Sequence, residues 1–205
     1  EMSRQSRRER EKDKIRIEIL DAAEAIFAVH GFHNTTMSMI AAAVELSVGS
    51  IYNFFPSKEV LFQSIIEIRA REGLIRLREA ADTLTSPVEK LRTVIAMKVQ
   101  FFIEHYGFFR IFMGVATAGY RPQIDKDQPV IILYHEYMDW IESIFQEAVS
   151  LGEIKPFDAR FLAVSMEGLT FGLIKHWENL KDASDTRKIT DMIAEVFFSG
   201  MSTGK

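Results

Sequence analysis

From Ile15 to Phe197 the apolar residues recur three and four positions apart, and nowhere do they sustain the every-second-residue alternation of a strand. Such spacing restricts the chain to packed helices, since a stripe at the 3.6-residue period faces one side of a helix. With 205 residues, 47% of them apolar, there is chain enough to enclose a core. Gly31, Pro56, Gly107 and Gly152 punctuate the pattern, and Pro87 and Pro129 open new periodic runs. The spacing predicts helices over 11–30, 37–44, 48–54, 58–81, 87–105, 108–118, 129–150, 158–179 and 186–199, with a loop at 119–128. Ser57 is placed to cap the fourth helix, and Gly31 sits where a helix C-terminal glycine belongs.

The two short helices near 40 and 50 are separated only by Glu45-Leu46-Ser47. Neither is stable alone, so both must pack on the first helix, through Ile40, Val44, Leu46 and Ile51. Ser47 caps the second of them, leaving other N-terminal amides outward, where they attract phosphate. Val48, Gly49 and Ser50 are small, so this helix fits a major groove about 12 Å wide and approaches base edges closely. Tyr52 and Asn53 offer a hydroxyl and an amide to phosphates, and Lys58 adds a positive charge. The plainer alternative is a packing corner with no partner.

Charge sharpens the choice. The net charge is -4, which does not announce a nucleic-acid binder, but its distribution is uneven. Residues 1–58 hold eight Lys/Arg against eight Asp/Glu, which leaves seventeen against twenty-one for the rest of the 25 and 29. The N-terminal stretch is locally basic, with Arg4, Arg7, Arg8, Arg10, Lys12, Lys14 and Arg16. A neutral module with a basic arm on an acidic body still presents a defined face to DNA.

Ile19–Thr36, read as I-L-D-A-A-E-A-I-F-A-V-H-G-F-H-N-T-T, and the run from Ser50 to Leu61, S-I-Y-N-F-F-P-S-K-E-V-L, resemble the TetR/AcrR family of transcriptional regulators. The resemblance covers residues 15–62 and rests on Ala22, Ala23, Phe27, Gly31, Phe32, Thr36, Ile40, Ala41, Ser47, Gly49, Tyr52, Phe55, Lys58 and Leu61. It implies an all-α fold, with a three-helix helix-turn-helix DNA-binding head over 1–57 and a larger helical ligand-binding and dimerisation domain over 58–205. It implies that Thr36, Ser47, Gly49, Tyr52 and Lys58 contact DNA, and that Val48, Ser50 and Asn53 set operator choice. It further implies a homodimer through the last two helices, and a ligand that releases the protein from a double-stranded operator. One position departs: the family usually carries Ala-Gly-Val-Ser at the turn, where this chain has Val44-Glu45-Leu46-Ser47. The usual glycine suits a positive φ that strains other residues by about 1 kcal/mol.

In the second domain the last helix lines up Ile189, Met192, Ile193, Val196 and Phe197, and the preceding one Ser165, Gly168 and Gly172. Both stripes are expected at the dimer interface, since a two-fold protein matches a palindromic site; the alternative is that they serve the core of a single chain. Phe101, Phe102, His105, Phe109, Met113, Tyr137, Trp140, Ile141, Met166, Thr170 and Trp177 are the candidate ligand-binding residues, a broad apolar surface with a few polar tips. Sixteen Phe and nine Met suit an adaptable cavity, and His105 and His176 are the sharper polar contacts. The expected effector is apolar or amphipathic.

A helical-bundle enzyme or an apolar-ligand carrier with a non-functional head is the competing reading. An enzyme of that kind needs convergent Glu-x-x-His pairs, yet Glu104-His105 and His135-Glu136 are adjacent and point to different faces. No catalytic residue, cofactor or metal site is therefore expected; His30 and His33, three apart, hint weakly at a metal but read more simply as neutral or charged histidines at a helix end. The absence of cysteine excludes disulfides and thiolate ligands. With no 18-residue apolar run, no membrane partner is expected, and the expected location is the cytoplasm.

Overall fold

The computed structural model describes residues 2–105, 129–177 and 186–200. They form eight helices and no strand: α1 (Met2–Asn34), α2 (Met37–Ala43), α3 (Val48–Phe54), α4 (Lys58–Asp82), α5 (Pro87–Glu104), α6 (Pro129–Ser150), α7 (Ala159–Trp177) and α8 (Thr186–Ser199). The helix predicted over 108–118 and the loop at 119–128 lie outside the described residues. Short polar caps start the helices where the sequence placed them. Thr36, Ser47, Ser57 and Ser86 each accept a backbone N–H three residues on, and Asp158 does so for Phe161.

The first helix begins nine residues earlier than its apolar stripe requires, at Met2 rather than residue 11. The extra turns hold Arg4, Arg7, Arg8 and Arg10, good helix formers, and the i,i+4 ion pair Arg7–Glu11 at 3.5 Å joins them to the predicted helix. At the other end Gly31, with φ 77°, interrupts the helix at the predicted place, and one further turn follows to Asn34.

The described residues up to Arg69 make one compact unit. Its core is built from Ile19, Ala23 and Phe27 of α1, Ile40 and Ala41 of α2, Ile51 of α3, Phe55, and Leu61, Phe62 and Ile65 of the first turns of α4. Phe27 stacks on Phe32 at 5.7 Å between centroids and meets Phe62 edge-on at 5.2 Å. Arg69 ties α4 to α1, donating to Glu24 and Asp21 at 2.8 Å each. The remaining described residues form the second unit, in which α5, α6, α7 and α8 close around Leu91, Ile95, Met138, Ile141, Phe145, Met166 and Ile193. Among the described residues no single helix is long and apolar enough to cross a membrane.

The same C-terminal cap ends α2 and α6, with one telling difference. In α6, Gly152 N–H donates to Val149 O and Glu153 N–H to Ala148 O, the double bond of a Schellman cap, with Gly152 at φ 71°. In α2, Glu45 N–H donates to Ala42 O and Leu46 N–H to Ala41 O, and Glu45 takes the left-handed position at φ 54°. Only Glu45 among the described non-glycine residues has positive φ, so the departure noted in the sequence is a real strain. Glu45→Gly is expected to stabilise the head by about 1 kcal/mol, raising its melting temperature a few degrees, while Glu45→Ala leaves it unchanged. Thermal unfolding by circular dichroism checks both; a lower melting temperature for Glu45→Gly would overturn the strain argument.

Candidate nucleic-acid interface and effector site

The chain bends by 102° between α2 and α3, within the range of helix-turn-helix pairs. Ser47 accepts from Ser50 N–H at 3.0 Å and bonds the Ser50 hydroxyl at 2.8 Å, which secures the start of α3. Ile51 turns into the core, and the opposite face, Val48, Gly49, Tyr52 and Asn53, is exposed. Ser50 is half-buried beside its cap. Thr36 is exposed, with its oxygen spent on Met39 N–H. Glycine at 49 has no internal cause: its φ is ordinary, and a Cβ there would meet only Ser47 Oγ at 3.9 Å. Gly49 is the second residue of α3, where glycine is still a poorer helix former than alanine. What it leaves is a bare strip of backbone beside Tyr52, open to close approach from outside.

Lys58 is placed differently from the other predicted DNA contacts. Its ammonium donates to Phe32 O at 2.7 Å, Thr35 O at 2.9 Å and His33 O at 3.5 Å, and lies 4.5 Å from the Phe32 ring centroid. It holds the C-terminal end of α1 to the first turn of α4, satisfying carbonyls the helix leaves without partners. Lys58→Met is therefore expected to destabilise the head by about 2 kcal/mol, the order of a charged hydrogen bond. The salt dependence of DNA binding should stay the same, whereas a phosphate contact would lower its slope by about 0.9.

In the second unit the predicted effector residues fall into three groups. Ile141, Met166 and Thr170 are fully buried, and Tyr137 nearly so; Phe101, Phe102, His105 and Trp140 are half-buried. Phe109 and Met113 lie outside the described residues, as do the side chains of His176 and Trp177. Phe101 and His105 are in ring contact at 4.6 Å, and Trp140 lies 6.3 Å from Tyr137. Thr170 Oγ1, deep inside, has no hydrogen-bond partner among the described residues, and neither has Arg78 Nε, whose guanidinium sits 5.7 Å from the Trp140 ring centroid.

One turn before Thr170 on α7 lies a polar cluster the sequence did not disclose. Lys98 Nζ of α5 pairs with Glu167 Oε1. Tyr137 of α6 donates its O–H to the same oxygen at 2.5 Å, and Lys98 reaches the Tyr137 oxygen at 3.3 Å. Burial, then the Glu167 charge, hold the Tyr137 phenol well above its usual range. The three partners sit on three helices, far apart in sequence, so no periodicity links them.

The predicted dimer residues divide. Ile193 is fully buried in the core of the single chain, so it presents no surface to a partner; Phe197 packs partly against that core, and Ser165 is half-buried. Met192, Val196, Gly168 and Gly172 are exposed, and the Ile189 side chain lies outside the described residues. The sequence reading missed Phe161, Val164 and Phe171, all more than half exposed. With Gly168 they follow an i, i+3, i+7, i+10 spacing, a signal available in the sequence but masked by the neighbouring core stripe of Leu162 and Met166.

Residues 19–65 match the protein-family model described as Bacterial regulatory proteins, tetR family. The chain is similar to the HTH-type transcriptional regulator YhgD of Bacillus subtilis (strain 168), 27% identical over 90% of this chain and 95% of that one. It is similar to UidR, an HTH-type transcriptional regulator of Escherichia coli (strain K12), 29% identical over 80% of this chain and 82% of that one. The crystal structure of the regulator FadR from Bacillus subtilis in complex with stearoyl-CoA superposes with a TM-score of 0.74, covering 90% of this chain and 98% of that chain. At 22% identity this last likeness shows the fold alone.

Proposed function

We propose, from the premise that this chain belongs to the TetR family of DNA-binding transcriptional regulators, that it is a homodimeric repressor of a palindromic operator, released by a small apolar or amphipathic effector. Regulators of this family are not enzymes. Residues 1–57 are read as the DNA-binding domain and 58–205 as the effector and dimerisation domain, acting in the cytoplasm. The observation that carries the reading is the outward face of α3, where Gly49 gives up helix stability for no internal contact beside exposed Val48, Tyr52 and Asn53. Gly49→Val tests it, because its Cβ fits within the chain. The variant should melt as the parent does, yet lose binding to any duplex selected from a random pool. Equal duplex affinity in the variant would sink the reading of this face.

The effector reading rests on the buried mixture in the second unit, a largely apolar interior with a Thr170 hydroxyl that has no hydrogen-bond partner among the described residues. The FadR structure holds stearoyl-CoA, which supports an acyl chain as the apolar part. A continuous helix, α4, gives Leu61, Phe62 and Ile65 to one core and Leu74 to the other, a route by which a filled interior could alter the head. Release then requires tighter effector binding to the DNA-free state, and a coupling of about 1–3 kcal/mol lowers operator affinity 5–150-fold. Stearoyl-CoA, stearate, coenzyme A and aromatic acids should be titrated into the protein–operator complex. Compounds that raise the melting temperature but leave operator affinity unchanged would overturn release.

A further inference from the structure

The N-terminal part of α1 runs well past the core of its own unit. Ile15 is the first residue of the helix packed against that core, and residues 7–14 are exposed. Their charges are sorted by face. Arg7 is paired with Glu11 and Lys14 with Glu18, and Arg10 is also engaged within the chain. Arg8 and Lys12 have no ion pair among the described residues. They are four residues apart, and four further on Arg16 lies with its guanidinium 4.5 Å from the ring centroid of Phe55, the residue that ends α3. In the sequence Arg4 keeps the same interval. Residues so spaced share a face, and Ile15, Ile19 and Ala23 carry the same face onward into the core. The inward face of α1 thus changes from apolar to cationic where the core runs out, and its cations are the ones left without carboxylates.

We propose that the Arg8–Lys12–Arg16 face of α1 is a second DNA contact, lying on the sugar–phosphate backbone beside the base pairs that α3 reads. This rests on the reading of α3 as a DNA-recognition helix and extends it to flanking duplex. The Arg16–Phe55 contact starts the strip at the C-terminal end of α3, and from Arg16 to Arg8 it runs about 12 Å at 1.5 Å per residue. Duplex DNA presents about one negative charge per 1.7 Å of axis, so a strip of that length meets several phosphates. Contacts of this kind position the protein without reading sequence, and each phosphate neutralised releases condensed counterions.

The test is the salt dependence of the full-length protein on a selected duplex, for the parent, for Arg8→Gln/Lys12→Gln, and for Arg7→Gln/Lys14→Gln. The slope of log affinity against log salt should become shallower by about 1.8 per bound head in the first variant, with affinity falling roughly 50-fold at 0.1 M salt on every sequence alike. The second variant removes cations already paired and should change the slope far less. Trimming the duplex flanks should weaken the parent and leave Arg8→Gln/Lys12→Gln unaffected. If that variant keeps the parental slope and flank dependence, the strip is not a DNA contact, although α3 still is. A parent that binds no duplex overturns the recognition reading and the strip with it.

Discussion

Lys98→Met should lower the melting temperature of the protein by about 6–12 °C, and Glu167→Leu should do nearly the same. The expectation comes from burial: the two side chains are only 24% and 16% exposed, and each is the other's counter-charge. Removing one partner strands a charge in a poorly hydrated interior, a loss on the order of 3 kcal/mol, and each kcal/mol moves a chain of this size by about 2–4 °C. The pair itself need not stabilise, because bringing two ions together in the interior costs about what their attraction returns. Lys98→Met/Tyr137→Phe/Glu167→Leu, which also removes the phenol donated to Glu167, should therefore recover most of the loss. If the triple variant is as unstable as the single ones, the cluster is a net source of stability. Tyr137 adds a pH signature. Its folded pKa is raised, so its contribution is complete below the unfolded value near 10 and fades as pH climbs through the folded value. Parent and Tyr137→Phe should consequently diverge in strong alkali and run parallel at neutral pH.

That cluster marks the limit of what the sequence discloses. Helix positions, caps and the α2–α3 turn follow from local rules, and Glu45 announced its own strain because a glycine was missing where the backbone needs positive φ. The start of α1 was misplaced because the apolar stripe begins only at Ile15, whereas helicity before it comes from charged helix formers and the Arg7–Glu11 i,i+4 pair. That Lys58 also holds the carbonyls of Phe32 and Thr35 was not legible, because only the folded chain brings them to its ammonium. Periodicity on α8 identified an apolar helix but could not divide it. Ile193 turns to the core of its own chain and Val196 to the outside, a distinction of roughly 60° that depends on where α5 packs.

Gly168→Leu should convert the proposed dimer to monomer while leaving the single chain folded. A Cβ at Gly168 or at Gly172 meets nothing within 4 Å, so neither glycine is required by the chain that carries it. Phe161, Val164 and Phe171 share α7 with them, and Met192 and Val196 lie on α8, each more than half exposed. Large apolar side chains in such a group usually mark an interface, and small residues among them let helices of two copies approach closely. A leucine at 168 would fill that space and hold the copies apart. Val164→Glu and Val196→Glu would place carboxylates in what should be a dry contact, at a cost of several kcal/mol each if unpaired. Dimer affinity should fall at least 100-fold for every one of the three, as read by sedimentation across a micromolar concentration series. Operator affinity should collapse with it, because two heads spaced about 34 Å apart bind as a unit only while the dimer persists. Circular dichroism should retain the helical signal of the parent. Dimers of unchanged affinity in all three variants would move the interface to another face, and a monomeric parent would remove it.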